Sequence, residues 1–209
     1  MKKFEEKNNV SRETIEKLKS YEASLIEWQS KFNLVSNASL QDAWNRHFED
    51  SMQLFELIPN DAKIMYDFGS GAGFPGMVIA IMAMDKTPYL KVNLVESIKK
   101  KTLYLNEVKQ IAQVSNVNII NDRIENVKTE IADVITSRAM TSLDSLIGYA
   151  IRFCGKKTIC IFPKGKSHQE EITEAKKNWK FDLEILPSKQ SDEGVILVLT
   201  NLSKTRGAK

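Results

Sequence analysis

The spacing of apolar residues changes once along this chain, near residue 60. Before that point Ile15, Leu18, Leu25, Trp28 and Phe32 recur at helical intervals, with Tyr21 or Glu22 filling the gap and Ser11 placed to cap. A polar link over 33–39 leads to a second helical stripe, Leu40, Ala43, Trp44, His47, Phe48, Ser51, Met52 and Phe55, which Pro59-Asn60-Asp61 ends. Beyond it, short β-prone runs alternate with helical ones. The pattern predicts strands over 63–68, 90–95, 117–120, 132–136 and 158–162, and helices near 75–84, 97–112, 123–130, 142–153 and 167–179. Such alternation means parallel strands joined by right-handed helical crossovers. The last two apolar runs, 181–186 and 195–200, are separated only by a polar turn, so they are expected to pair antiparallel as a hairpin at one sheet edge. The expected product is an α/β fold over 61–209, a seven-stranded and mostly parallel sheet with a C-terminal antiparallel hairpin. Residues 1–60 are expected to form a helical extension packed on it.

One stretch joins the first of these strands to its helix through glycines: Asp67-Phe68-Gly69-Ser70-Gly71-Ala72-Gly73-Phe74-Pro75-Gly76. Gly69, Gly71 and Gly73 supply positive-φ positions and a surface without Cβ atoms, so a ligand can approach the backbone where the helix begins. The spacing is G-x-G-x-G, whereas dinucleotide pyrophosphate sites favour G-x-G-x-x-G. With Asp67 ending the strand, the variant favours S-adenosylmethionine, whose ammonium calls for a carboxylate nearby. A tight packing turn is the other reading of the same residues. Five parallel strands closed by a hairpin agree with the cofactor reading, because that is the layout of the S-adenosylmethionine-dependent methyltransferase (Rossmann-like) fold.

In an open α/β sheet the ligand lies across the carboxyl ends of the strands, so residues just after each strand are the candidates. Glu96 follows the second strand at about the spacing at which a carboxylate meets a ribose; alternatively, it is a favourable charge at a helix start. Asn121-Asp122-Arg123-Ile124-Glu125 follows the third, where an adenine would be read, and it also suits a short helix capped by Asp122. Arg138 follows the fourth, where reacting groups are usually placed; its guanidinium can hold a carboxylate or phosphate, or simply pair with Asp67 or Glu125. Lys164 and Lys166 follow the fifth on a rigid turn, either touching phosphate or merely solvated.

Composition narrows the classes. The 209 residues are 42% hydrophobic and 27% charged, as in an ordinary soluble globular protein, and the net charge of +3 permits an anionic partner without demanding one. The N-terminus has no apolar core of a secretory signal and the longest apolar run, 77–84, is too short for a bilayer, so a cytoplasmic address and no membrane partner are expected. Cys154 and Cys160 form no ligand pair and the only histidines are His47 and His168, so no metal is expected. No Pro-Pro dipeptide marks an exocyclic-amine methyltransferase, and neither cysteine is placed to attack a pyrimidine ring. A nucleophile with a free lone pair, such as ring N7 of guanine, needs neither device and could react through alignment and charge stabilisation alone.

From about Phe32 to Thr200 the chain resembles the bacterial RsmG family, also called glucose-inhibited division protein B, of 16S rRNA guanine-N7 methyltransferases. The resemblance rests on Phe32-Asn33-Leu34-Val35-Ser36, Arg46-His47-Phe48-Glu49-Asp50-Ser51, the Asp67 to Gly76 stretch with its Gly-Phe-Pro-Gly ending, Ser137-Arg138-Ala139 and Lys164-Gly165, in that order. It implies methyl transfer from S-adenosylmethionine to the guanine at position 527 in the usual rRNA numbering. It implies that Gly69 and Phe74 touch the cofactor, that Ile124 and Glu125 bracket its adenine, and that Arg138 lies at the cofactor or target-base end, so Arg138 is taken here as the catalytic residue linking the two. The helix bearing Arg46, His47 and Asp50 would fold over the site, with Arg46, His47, Lys164 and Lys166 facing RNA. Free 16S rRNA or the small ribosomal subunit would be the partner, and the protein a monomer. On spacing alone His47 lies in an apolar stripe and reads as a core residue. Where the family commonly has Gly-Arg-Ala-Glu this chain has Asp122-Arg123-Ile124-Glu125, and Phe68 replaces a smaller aliphatic residue. Two other readings stay open: a methyltransferase of small molecules or proteins, and a non-catalytic RNA-binding module on the same scaffold.

Overall fold

The computed structural model describes residues 10–205; residues 1–9 of the expected extension and the 206–209 tail lie outside them. Ser11 caps α1 (Arg12–Gln29) by accepting a hydrogen bond from the Thr14 amide at 3.2 Å. Ile15, Leu18 and Leu25 of its stripe are buried, Trp28 is half-buried, Phe32 lies beyond the helix end, and Tyr21, fully enclosed, fills the gap. The expected polar link holds a short helix of its own, α2 (Asn37–Leu40), capped by Ser36. The second stripe is not one regular helix: α3 begins with a π-helical stretch, Trp44–Glu49, and continues as the α-helical Asp50–Phe55. A π turn shifts the side-chain register by one position, and such turns are found mostly at functional sites.

The sheet comprises β1 (Ile64–Phe68), β2 (Lys91–Val95), β3 (Val117–Ile120), β4 (Ala132–Thr136), β5 (Cys154–Lys164), β6 (Trp179–Pro187) and β7 (Val195–Lys204). Their order is β3-β2-β1-β4-β5-β7-β6. The first five run parallel, while β7 pairs antiparallel with both β5 and β6. The seven-stranded sheet and its antiparallel hairpin therefore stand as the apolar runs implied. β5 is longer than expected, and Cys154 opens it where a helix end was anticipated.

The crossovers are α4 (Gly76–Lys86), α5 (Lys99–Ile111), α6 (Leu143–Ala150) and α7 (His168–Asn178). The helix expected over 123–130 does not form. Only a 3-10 turn, Ile124–Asn126, stands there, because Val127 takes extended angles and turns its side chain into the core. Asp122 binds the Arg123 amide and the Asn126 side chain and so closes the turn locally. On one sheet face Leu18, Tyr21, Phe48 and Met52 of the N-terminal helices share a core with Met77, Ile81 and Leu105 of α4 and α5. On the other, Phe68, Ile135, Phe162 and Leu197 pack with Leu146 of α6 and Ala175 of α7. Fully burying each such side chain contributes about 2 kcal/mol, so both faces hold the strand ends rigidly.

Candidate functional site

The chain leaves β1 through a loop whose shape its glycines permit. Gly69, Gly71 and Gly73 have φ of +65°, +56° and +95°. A Cβ on Gly69 would stand 2.8 Å from the Met140 side chain, and one on Gly73 would stand 2.5 Å from the Tyr21 hydroxyl. The loop is anchored by hydrogen bonds from the Gly69 and Ser70 amides to the Val95 carbonyl, at 2.9 and 3.1 Å. The Phe74–Pro75 peptide bond is cis, and α4 starts just beyond it. Beneath the loop, the Tyr21 hydroxyl donates to the Ala72 carbonyl and its ring stacks on Phe74 with centroids 5.2 Å apart. A helix near the start of the chain thus supports the turn.

Asp67 holds this loop from inside. It is fully buried; its Oδ2 accepts from the Gly76 amide at 3.2 Å and its Oδ1 from the Thr136 hydroxyl at 3.0 Å. Burial raises its pKa to about 6 against the relief these bonds give. This carboxylate was expected to face a ligand ammonium; here it is enclosed, with each oxygen holding a bond inside the core, and the side chain shapes the start of α4.

Glu96 stands where a ribose-binding acid was expected. Its Oε2 accepts from the Gly71 amide at 3.0 Å and its Oε1 from the Ile98 amide at 2.7 Å, so it ties the ends of β1 and β2 together at the cavity wall. With Gly69, Ile124, Glu125 and Tyr149 it lines a cavity of about 520 Å³. A second cavity, about 490 Å³, shares Gly69 and continues past Gly71 and Phe74 to Arg46, His47 and Arg138. A third, about 480 Å³, shares Asp50, Arg138 and Ala139 with the second and reaches Lys164 and the turn between β6 and β7. The three form one trough along the carboxyl ends of the strands, as the fold class requires.

Arg138 is the hub of that trough. It pairs with neither Asp67 nor Glu125: Nη1 donates to Asp50 Oδ2 and to the Arg46 carbonyl, both at 3.2 Å, and Nη2 lies 3.0 Å from His47 Nδ1. Its guanidinium carbon also sits 5.3 Å from the centroid of Phe74, on which the His47 ring stacks at 4.8 Å. Burial first, then the charges of Arg138 and Arg46, lower the His47 pKa to about 4. The ring is therefore neutral at ordinary pH. Since a guanidinium only donates, Nδ1 accepts and the proton resides on Nε2, which is buried without a partner among the described residues. His47 is both a buried stripe residue and a wall of the cavity.

The two rim lysines separate. Lys166 is exposed, with Glu193 at 3.7 Å. Lys164, expected to face RNA, lines the third cavity but is engaged within the protein: its side chain is 9% exposed, pairs with Glu171 at 2.7 Å and donates to the Thr141 carbonyl at 2.9 Å. Sequence reasoning did not single out Tyr21, Asp50 as the partner of Arg138, or Lys101, which lines both of the first two cavities. For Tyr21 the available signal was a hydroxyl inside an apolar stripe, which needs a buried acceptor.

A family model described as rRNA small subunit methyltransferase G matches residues 14–194. A protein of Parvibaculum lavamentivorans named ribosomal RNA small subunit methyltransferase G is 42% identical over 200 residues, covering 95% of this chain and 88% of its own. One of the same name from Paramagnetospirillum magneticum is 40% identical, covering 96% and 95%. Among solved structures, a SAM dependent methyltransferase from Aquifex aeolicus superposes with a TM-score of 0.56 at 12% identity, covering 75% of this chain and 90% of that one. M. jannaschii TYW2 in complex with AdoMet superposes with a TM-score of 0.54 at 14% identity, covering 76% of each. The fold is thus that of S-adenosylmethionine methyltransferases, and the chain belongs to the rRNA small subunit methyltransferase G family.

Proposed function

We propose that this protein transfers the methyl group of S-adenosylmethionine to N7 of a guanine in 16S rRNA. The observation that carries the reading is the trough itself, in which a glycine loop, an acidic residue at the end of β2 and the Arg138 hub adjoin in a family of rRNA methyltransferases. The residues fit the cofactor: Gly71 leaves open backbone, Gly69 and Glu96 line the first cavity, and Ile124 and Glu125 line its far wall for an adenine. Gly73 and Asp67 act beneath the surface by setting the loop. Bound S-adenosylmethionine would supply an electrophilic methyl on a positively charged sulfur.

N7 carries no proton, so no general base is required and the protein's task is alignment. Arg138, fixed by Asp50, His47 and the Arg46 carbonyl, is placed between cofactor and target cavities with little conformational freedom. The neutral His47 ring adds no positive charge beside the one that moves onto the purine during transfer. Arg46 and Lys166 remain at the rim, available to RNA phosphates. Within this reading, the described part of residues 1–60, from Val10 on, acts as a helical cap on a methyltransferase domain that begins at 61, and the substrate is naked 16S rRNA or the small ribosomal subunit. The enzyme works as a cytoplasmic monomer. The test is transfer of labelled methyl to small subunits and to naked 16S rRNA from a strain lacking the activity. Label at guanine N7 is expected, and its absence from both substrates overturns the reading.

A further inference from the structure

Lys99, Lys100 and Lys101 occupy the first turn of α5 in succession, with no acidic residue among them. The helix dipole disfavours cations there and favours acids, so three lysines in this turn work against the helix they begin. No capping side chain compensates, since Ile98 stands at the cap position and is 51% exposed. The nearest acid in sequence, Glu96, commits its two oxygens to the Ile98 and Gly71 amides. Among the described residues the three ammonium groups have no hydrogen-bond or ion-pair partner.

Most other basic groups at the rim differ in this respect, although Arg46 shares it. Lys164 pairs with Glu171, Lys166 with Glu193, Arg123 with Glu125 and Lys189 with Glu56. Uncompensated positive charge at the trough is therefore held by Arg46 and by the first turn of α5, where three such groups adjoin. It reaches inward as well, because Lys101 lines both cavities that meet at Gly69, with Arg46 lining the second of them.

We propose that this turn is the phosphate track of the substrate RNA: the sugar–phosphate backbone crosses Lys99, Lys100 and Lys101 and brings the target nucleotide past Gly69 towards Arg138. This rests on the RNA reading above and deepens it by naming the side from which the strand approaches. Three adjacent cations with no partner in the protein suit a polyanion whose charges repeat along a chain, and counterion release makes such contact sensitive to salt. A sequence that spends helix stability on this arrangement is explained when an anion completes it.

The experiment compares wild type with a Lys99→Gln/Lys100→Gln double variant, leaving Lys101 in place because it lines the cofactor cavity. S-adenosylhomocysteine binding is read by tryptophan fluorescence, 16S rRNA binding at several salt concentrations, and unfolding by heat. Cofactor affinity should be unchanged, while RNA affinity at low salt falls roughly ten- to a hundredfold. The slope of log affinity against log salt should become shallower by about 1.4 to 1.8, the loss expected for two phosphate contacts. Lys100→Glu should raise the unfolding temperature while weakening RNA binding, a combination that a damaged fold cannot produce. An unchanged salt slope, or cofactor affinity lost in parallel with RNA affinity, overturns the proposal. Failure of wild type itself to bind RNA would instead overturn the functional reading on which it rests.

Discussion

Arg138 Nη2 lies 3.0 Å from His47 Nδ1, which makes a permanently charged donor the neighbour of a titratable ring. The folded ring has a pKa of about 4 against the ordinary 6.5, so between these values the unfolded chain binds a proton that the folded chain does not. Its contribution is fully present above pH 6.5 and is lost as pH falls towards 4. Relative to a His47→Gln variant, wild type should lose up to about 3 kcal/mol across that window. Urea titrations at pH 4.5 and 7.5 check this; a difference between the proteins that does not vary with pH would show that the ring is not held neutral.

Removing the guanidinium has two separable effects. Arg138→Ala leaves the Asp50 carboxylate, whose pKa burial already raises, without its cation, and should cost about 2 kcal/mol. Adding Asp50→Asn should restore most of that stability, because no charge is then stranded. Methyl transfer should fall about a hundredfold or more in both variants. Calorimetry alongside a transfer assay distinguishes them, and recovery of activity with stability would remove Arg138 from the chemistry.

Two glycines of one loop should respond differently to alanine. At Gly73 a Cβ meets the Tyr21 hydroxyl at 2.5 Å and Leu105 at 3.0 Å, so Gly73→Ala should destabilise by about 3 kcal/mol or more. At Gly71 the nearest atom is the Gly69 carbonyl oxygen at 3.7 Å, so the cost is that of a left-handed residue, about 1 kcal/mol. Gly71 lines the second cavity, and the added methyl should nonetheless weaken S-adenosylhomocysteine binding. Equal stability losses in the two variants would contradict the packing described.

Gln53 ties α3 to the turn between β6 and β7. Its Oε1 accepts from the Lys189 amide at 2.8 Å, and its Nε2 donates to Asp50 Oδ1 at 2.8 Å and to the Ser188 hydroxyl at 3.3 Å. Gln53→Ala should lower stability by about 1 to 2 kcal/mol and hasten proteolysis within that turn. Limited digestion with cleavage mapped by mass reads it; an unchanged cleavage rate would show that the turn is held by other contacts.

What could be read from the chain alone is what depends on neighbours in sequence. β3 and β4 were legible to the residue, because buried parallel strands are continuous apolar runs. The glycine loop was legible because its φ angles are set by residues in direct succession. The helix misread over 123–130 shows the limit: its composition permits a helix, but Val127 is drawn into the core and the turn stops after three residues. Contacts across the fold were invisible for a plainer reason. Asp50 meets Arg138 from 88 positions away and Tyr21 meets Ala72 from 51, and no local spacing records either distance. Lys164 was expected at the RNA face, and its engagement was invisible because its pairing with Glu171 depends on how α7 folds back on β5.

The place of β7 between β5 and β6 bears on how the molecule is made. Leu197 and Leu199, which complete the core beside Phe162, lie on the strand that follows all the others of this sheet in chain order. Until residues 195–204 emerge, β5 keeps an open edge from Cys160 to Lys164 and β6 has no partner at all. Translation can deliver β1 to β4 early, but the half of the sheet under the Arg138 side of the trough closes only after β7 has followed β5 and β6. The cavity that Arg138 and Lys164 share with Val195 and Ile196 is therefore completed after the surface around the glycine loop.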